Sequence, residues 1–194
     1  MSVLEVREGE RALRLHARAD ETAPATAVVV GHAILAFMPE ARRTELLDAS
    51  AFKRVTRYSL SRPALEARLP AIREQGYAIG VGGQYEDVMG VAAPVFDQAG
   101  TVRFAVAVGG PIERVRAHEA HVRDCVLDGA REMSRILGFD GHGTAERSVE
   151  RYSVLSDLNQ SGRSSSFAPP LQSWEPPSTR RTSPVTYLPL AALR

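Results

Sequence analysis

The residues with the chemistry of a reactive or metal-binding site are concentrated near position 120. His118 and His121 are three positions apart in a predicted helix, so one helix face could direct two imidazoles at a metal ion. Cys125 follows His121 by four residues, which also permits a cysteine–histidine nucleophile pair. No third ligand has a supporting spacing, and no Asp or Asn is placed to orient the histidine. We therefore interpret the trio as a solvated histidine pair beside a buried structural cysteine, and we predict no metal site.

A second candidate is the glycine-rich segment 80–85, which resembles the start of a dinucleotide-binding fingerprint. Tyr85 stands at the third glycine position, and no helix is predicted after it to bind a phosphate. The adjacent Glu86 and Asp87 fall in a predicted polar loop, where neither carboxylate is desolvated enough for acid–base catalysis. The chain contains no P-loop and no nucleophile-elbow motif. We therefore predict no catalytic residues, no cofactor and no enzymatic activity.

The elements that position these residues follow from hydrophobic periodicity and from turn and capping signals. The predicted strands cover residues 3–6, 13–16, 77–81, 88–96 and 101–108. The predicted helices cover residues 27–37, 40–48, 61–76 and 113–137. This order of strands, helices, strands and a helix predicts an α+β fold with a mainly antiparallel sheet flanked by helices.

Local signals define several of these boundaries. Ser61 is placed to cap the third helix and Gly76 to end it, with a kink expected at Pro70. Residues 97–100 have turn composition, which predicts a hairpin between the last two strands. Residues 109–111, Gly-Gly-Pro, are expected to end the last strand. In the final helix, a stripe formed by Val122, Val126, Gly129, Met133, Ile136 and Leu137 is predicted to face the core.

Composition divides the 194-residue chain near residue 140. Residues 1–140 carry 18 cations and 19 anions, whereas residues 141–194 carry 6 and 4 together with ten serines and half of the twelve prolines. We predict a folded domain over 1–140 and a Ser/Pro/Arg-rich disordered tail over 141–194, with a short helix at 149–158. The net charge of +1 gives no overall basic field for nucleic acid.

Several features bear on where the chain resides. One cysteine excludes an intrachain disulfide and fits a reducing compartment. The most apolar stretch, residues 25–38, is too short and too polar for a membrane span, and no secretory signal opens the chain. We expect a cytoplasmic protein without a membrane partner.

Three segments in order carry a family resemblance. They are VGHAILAFMPE at 30–40, LPAIREQGYAI at 69–79, and GVAAPVFD at 90–97 continuing to VAVGGP at 106–111. Together they resemble the C-terminal, effector-binding domain of IclR-type bacterial transcriptional regulators. The resemblance implies a GAF-like α+β domain that senses a small metabolite and forms homo-oligomers. It also implies that DNA is bound only through a separate winged helix-turn-helix module, which we do not find in this chain.

The resemblance also implies a set of effector-binding positions. Their equivalents in this sequence are Leu15, Ala23, Val29, Val30, Gly80, Gly90, Ala107 and Gly109. In family members with a small oxo-acid effector, a Gly-Ala pair stands where this chain has Val29 and Val30. An acidic residue, a polar or thiol residue and two hydroxyls correspond to the four sheet positions of the set. Since every polar side chain is replaced, we expect a larger effector of apolar or aromatic character, or none.

Two other interpretations remain open at this point. The chain could be a stand-alone GAF-like module that binds a small molecule or mediates oligomerisation without a role in transcription. It could also be a non-functional truncated gene product, because the tail matches nothing in the family. Our first interpretation is a non-enzymatic ligand-sensing domain that controls DNA binding elsewhere in the protein or assembly.

Overall fold

A computed structural model describes residues 1–9 and 11–141 of the chain. The predicted tail over 141–194, with its short helix at 149–158, therefore lies outside the described residues apart from Gly141. The described helices are α1 (Val29–Phe37), α2 (Glu40–Asp48), α3 (Arg62–Gln75), α4 (Ile112–Ala117) and α5 (Glu119–Ile136). The described strands are β1 (Ala78–Val81), β2 (Val88–Phe96) and β3 (Val102–Pro111). None of these helices is long and apolar enough to cross a membrane.

The three strands form an antiparallel sheet in the order β1-β2-β3. Strand β2 is central and almost entirely buried, because helices cover both faces of the sheet. Helices α1 and α3 lie on one face, and α4 and α5 lie on the other. The predicted α+β class with an antiparallel sheet flanked by helices is confirmed.

Helix α3 begins and ends at the residues that the sequence predicts, because local capping interactions determine both ends. The Ser61 hydroxyl accepts a hydrogen bond from the N–H of Ala64 at 3.4 Å, and Pro63 occupies the first turn. At the other end, Gly76 adopts a left-handed conformation with φ of 82° and donates its N–H to the Ile72 carbonyl. The helix continues through Pro70, whose side chain is exposed.

The predicted strands at 3–6 and 13–16 are wrong. This part of the chain makes only an isolated bridge between Ser2 and Thr22, and the remainder has no strand partner among the described residues. Leu4 and Leu13 are exposed, so the alternation of Leu13 and Leu15 does not mark a half-buried strand face. Backbone bonds from Val3 to Glu21 and from Ala23 to Met1 instead fold residues 1–23 back on themselves.

Two further boundaries differ from prediction. Strand β3 continues through residues 109–111, because the glycines remain paired with Gly90 and Met89 in the sheet ladder. The final helix is divided at His118, whose φ of −123° and ψ of 23° leave helical geometry and separate α4 from α5. A continuous apolar pattern across 112–137 conceals this break.

Helix α5 packs on the sheet with a buried face that differs from the predicted stripe at its end. Val126, Ala130 and Ser134 are buried, and Val122 and Met133 pack beside them. Ile136 and Leu137, predicted to face the core, are exposed, because the buried face follows Val126, Ala130 and Ser134 and α5 ends at Ile136. Gly138 follows the helix with φ of 83°, as expected for its end.

A buried serine accommodates an irregularity in the sheet. The β2–β3 register shifts between Val95 and Phe96, which takes the Phe96 N–H out of the regular ladder. The Ser134 hydroxyl accepts a hydrogen bond from that N–H at 3.0 Å and donates to the Ala130 carbonyl at 2.7 Å. Helix α5 and the irregular strand are thus joined by a polar contact in an apolar layer.

Candidate effector pocket

Three glycines, one from each strand, are paired in register across the sheet. Gly80 pairs with Gly90, and Gly90 pairs with Gly109. We call these residues the glycine row. Because no side chain rises from the row, it leaves a depression on the sheet face that α1 covers. This depression is the floor of a cavity of about 160 Å³, which we call the central cavity.

The first turn of α1 forms the inner wall of the central cavity. Val28, Val29, Val30 and His32 all line it. The two methyl groups of Val29 lie directly over the glycine row, so a Cβ at Gly80 or Gly90 would approach them to 2.8 or 2.9 Å. No side chain caps α1, so the N–H groups of its first turn have no capping acceptor at this wall.

The folded-back N-terminal segment forms the outer wall. Leu15 lies over the third glycine of the row, where a Cβ at Gly109 would be 3.1 Å from Leu15 Cδ2. Residues 1–3 and 21–23 complete this wall. The Val3 N–H donates to the Glu21 carbonyl at 2.8 Å, which holds the two stretches together.

The rim of the cavity is built by two loops that bind each other. Tyr58 and Tyr85 line the cavity from these loops and are about half exposed, so the cavity communicates with solvent between them. The Thr56 hydroxyl donates a short hydrogen bond to the Gly82 carbonyl, and Arg57 pairs with Glu86 at 3.7 Å. These two bonds hold together the loops that carry the tyrosines.

His32 is the buried polar side chain of this cavity. It is 7% exposed, and its Nε2 lies 3.0 Å from the Thr26 carbonyl. Burial lowers the pKa of the His32 imidazole, the hydrogen bond to Thr26 partly opposes this, and the nearby Arg68 cation lowers the pKa further. Arg68 is exposed and lines the cavity from α3.

The structure brings all eight sequence-predicted binding positions together around the central cavity. The residues concerned are Leu15, Ala23, Val29, Val30, Gly80, Gly90, Ala107 and Gly109. Sequence reasoning missed His32, Tyr58 and Arg68, which also line it. His32 had one available signal: it is the polar residue inside the apolar run at 25–38.

A second cavity, which we call the peripheral cavity, lies beyond Ala27 and Leu60. Its volume is about 440 Å³, and Leu46, Phe52 and Lys53 are among its lining residues. None of the eight predicted positions, all of them described, contributes to it. The larger volume therefore does not coincide with the positions that the sequence singled out, and we take the central cavity as the candidate site.

The histidine and cysteine side chains near position 120 do not form a reactive centre. His118 and His121 are exposed as predicted, whereas Cys125, predicted to be buried, is partly exposed, with its Sγ 3.6 Å from His121 Nε2. Burial and the carboxylates of Asp128 and Asp124 raise the pKa of the Cys125 thiol, which disfavours a thiolate nucleophile. Over the described part of the chain, no three His, Cys, Asp or Glu residues are grouped to hold a metal ion.

Comparison with known proteins identifies the family to which the described domain is similar. Residues 1–135 match the family model of the bacterial transcriptional regulator IclR C-terminal domain. The HTH-type transcriptional regulator XynR of Escherichia coli (strain K12) is 31% identical over 134 residues, which are 68% of this chain and 53% of XynR. The chain spans about half the length of the curated relatives it matches.

Solved structures agree with these matches. The crystal structure of the Thermotoga maritima IclR is similar with a TM-score of 0.64 and 27% identity, covering 68% of this chain and 54% of that one. The C-terminal domain of the E. coli transcriptional regulator KdgR gives a TM-score of 0.59 at 24% identity, covering 68% of this chain and 85% of that one. The latter likeness concerns the fold alone.

Proposed function

Because the chain belongs to the bacterial IclR C-terminal domain family, we propose that its central cavity binds a small-molecule effector and that binding controls a transcriptional regulator. The curated relative XynR is a transcriptional regulator, not an enzyme. One observation carries the proposal. Eight positions implied by the family resemblance come from the N-terminal segment, α1 and all three strands, and all of them line one cavity.

The effector is a compact molecule with a mainly apolar body. Valines of α1, Leu15 and Ala107 supply the walls, and the glycine row supplies a floor of backbone. Burying apolar surface against such walls is favourable by about 25 cal/mol per Å². A cavity of about 160 Å³ suits a body of roughly one aromatic ring, since an apolar cavity of about 150 Å³ is known to take up benzene.

Transcriptional control then acts at a distance from the cavity. The described residues provide an effector site, so the DNA contacts are assigned to a winged helix-turn-helix module elsewhere in the protein or in a homo-oligomeric assembly in the cytoplasm. A gel-shift titration of the 194-residue chain with promoter DNA should give no shifted band. A specific shift by this chain alone would contradict this division of labour.

Binding is tested by calorimetry and NMR titration of the chain with toluene and phenol as small apolar probes. Leu15→Trp should abolish binding, because the indole would extend from the outer wall into the space over Gly109. Leu13→Trp is the matched control: it lies two residues away in the same segment, is 66% exposed and does not line the cavity. Unchanged binding in L15W, or equal loss in both variants, would refute the assignment of the cavity.

The apolar character is tested with small oxo-acids. Glyoxylate and pyruvate should give no heat of binding and no thermal shift, since no polar side chain rises from the glycine row to hold their carboxylates. Micromolar binding of either acid would overturn the proposed effector class. It would leave the cavity itself as the binding site if L15W abolished that binding.

A further inference from the structure

His32 is held in one orientation at the wall of the central cavity. It belongs to the first turn of α1, is 7% exposed, and its Nε2 lies 3.0 Å from the Thr26 carbonyl. A carbonyl oxygen accepts hydrogen bonds and never donates them, so Nε2 carries the hydrogen of this bond. In the neutral ring, the other nitrogen, Nδ1, then has a free lone pair.

Nδ1 has no hydrogen-bond partner among the described residues. It is also not sealed in the interior, and the surface that the ring keeps belongs to a side chain lining the cavity. An acceptor with so little accessible surface and no protein partner can accept a hydrogen bond from a ligand group that enters the cavity. The cavity therefore offers a buried imidazole acceptor beside the valines of α1.

The charges around His32 favour its neutral form. Burial and the Arg68 cation both lower the pKa of the imidazole, and the residues that the strands contribute to the cavity carry no titratable group. Other titratable groups that line the same cavity are His16, Glu21, Tyr58, Tyr85 and the Met1 amino group. The amino group donates to the Ala23 carbonyl, and His16 pairs with Glu8.

We propose that His32 is the specificity-determining residue of the central cavity, and that its Nδ1 accepts a hydrogen bond from an uncharged hydroxyl or N–H group on the apolar body of the effector. This inference rests on the proposed function and narrows its ligand class. A carboxylate at the same place would set two acceptors against each other. Arg68 is exposed at the opening, where water screens its attraction for an anion.

Phenol and toluene form the test pair, because they have nearly the same shape and differ in one hydroxyl against one methyl. Their dissociation constants are measured by NMR titration with the wild-type chain, His32→Leu and Tyr58→Phe. In H32L the affinity of phenol relative to toluene should fall about fivefold. Y58F removes a different polar group from the same cavity and should leave the ratio unchanged.

A pH titration of the wild-type chain tests the same acceptor without a substitution. Protonation of Nδ1 removes its lone pair, so the relative affinity for phenol should fall as the pH is lowered from about 8 to about 5. Neither probe titrates in this range. This arm remains decisive if H32L proves unstable.

The outcomes separate the two proposals. If neither probe binds the wild-type chain, the proposed apolar site fails and the inference fails with it. Both probes could bind while the ratio of their affinities is the same in H32L as in the wild-type chain and constant with pH. In that case His32 does not determine the specificity, and the cavity remains the binding site. A ratio that falls in Y58F rather than in H32L would assign the role to Tyr58 and overturn the inference.

Discussion

The two faces of the sheet carry different residues although they belong to the same three strands. Towards α4 and α5, the strands present large apolar side chains: Ile79, Val81, Met89, Val91, Val95, Phe104, Val106 and Val108. Towards α1, alternate positions are mostly small: Ala78, Gly80, Gly90, Ala92, Ala105, Ala107 and Gly109. One face is filled by its own side chains, and the other leaves room that α1 fills only in part.

The two faces of the sheet therefore differ in what they contribute to the molecule. The α5 face supplies apolar burial and fixes the strands in place. The α1 face lets the helix backbone approach the sheet closely and leaves the central cavity where the glycine row ends that contact. Substitutions on the two faces should therefore have different consequences, and four predictions test this, from the largest expected effect to the smallest.

Gly31→Ala should be the most destabilising change. A Cβ at Gly31 would lie 2.0 Å from the Ala25 carbonyl oxygen, and backbone cannot yield as a side-chain tip can. We expect the free energy of unfolding in urea to fall by about 3 kcal/mol. Gly110→Ala on the opposite face is the control, because its Cβ would meet Val115 Cγ2 at 3.5 Å, an ordinary contact. Equal stability of the two variants would show that the close approach of the Ala25 backbone to Gly31 does not make this position more sensitive than Gly110.

Val91→Ala should destabilise the sealed face by about 2 kcal/mol, because the removed methyl groups leave a void between the sheet and α5. Leu15→Ala on the cavity face should lower stability by about 1 kcal/mol or less, since Leu15 borders space that is already open. Chemical denaturation of both variants checks the contrast. If L15A lost more unfolding free energy than V91A, the face covered by α5 would not be the one that stabilises the fold more.

Ser134→Ala should lower the free energy of unfolding by about 1.5 kcal/mol, because the buried Phe96 N–H would lose its acceptor. Ser61→Ala is the comparison: its exposed hydroxyl makes a longer bond of 3.4 Å at the start of α3, and its removal should have the smaller effect. Thermal unfolding of both variants orders the two effects. If S61A unfolds at a lower temperature than S134A, the hydrogen bond from the Phe96 N–H to Ser134 does not stabilise the irregular strand as we expect.

The smallest effect is a pH dependence from His32. The folded-state pKa of its imidazole lies below the ordinary 6.5, so between these values the unfolded chain binds the extra proton. The contribution of the neutral His32 to the free energy of unfolding is therefore fully present above a pH of about 6.5, and it is lost as the pH falls towards the folded-state pKa. The midpoint of unfolding in urea is measured at a pH of about 7.5 and of about 5.5, and the difference between the two should be smaller in His32→Leu than in the wild-type chain. The variant His118→Leu keeps His32 and should retain the wild-type difference.

Sequence reasoning succeeded where a local signal determines the structure. Ser61 and Gly76 act within one helix, so the ends of α3 were readable, and strand β2 was predicted with its observed bounds. It failed where the outcome depends on distant partners. Residues 109–111 contain two glycines and a proline, and only pairing with β2 keeps them in a strand.

The cavity shows the same limit. Its eight positions were found through a family resemblance, and each is inconspicuous by itself in the sequence. That Gly80, Gly90 and Gly109 lie in one row is a property of strand register, which spacing along the chain does not reveal. The environment of His32 depends on the Thr26 carbonyl, which the turn before α1 brings to the ring, and on Arg68, which the packing of α3 on α1 brings near.

The glycine row also constrains how this site can change during evolution. A glycine has no side chain to exchange for another, so every single substitution in the row adds volume and narrows the cavity. A polar residue in the row would therefore bring a functional group to the floor and reduce the cavity volume at the same time. Substitutions in the walls, which come from the N-terminal segment, α1 and the rim loops, can change the polarity of the proposed site without filling its floor.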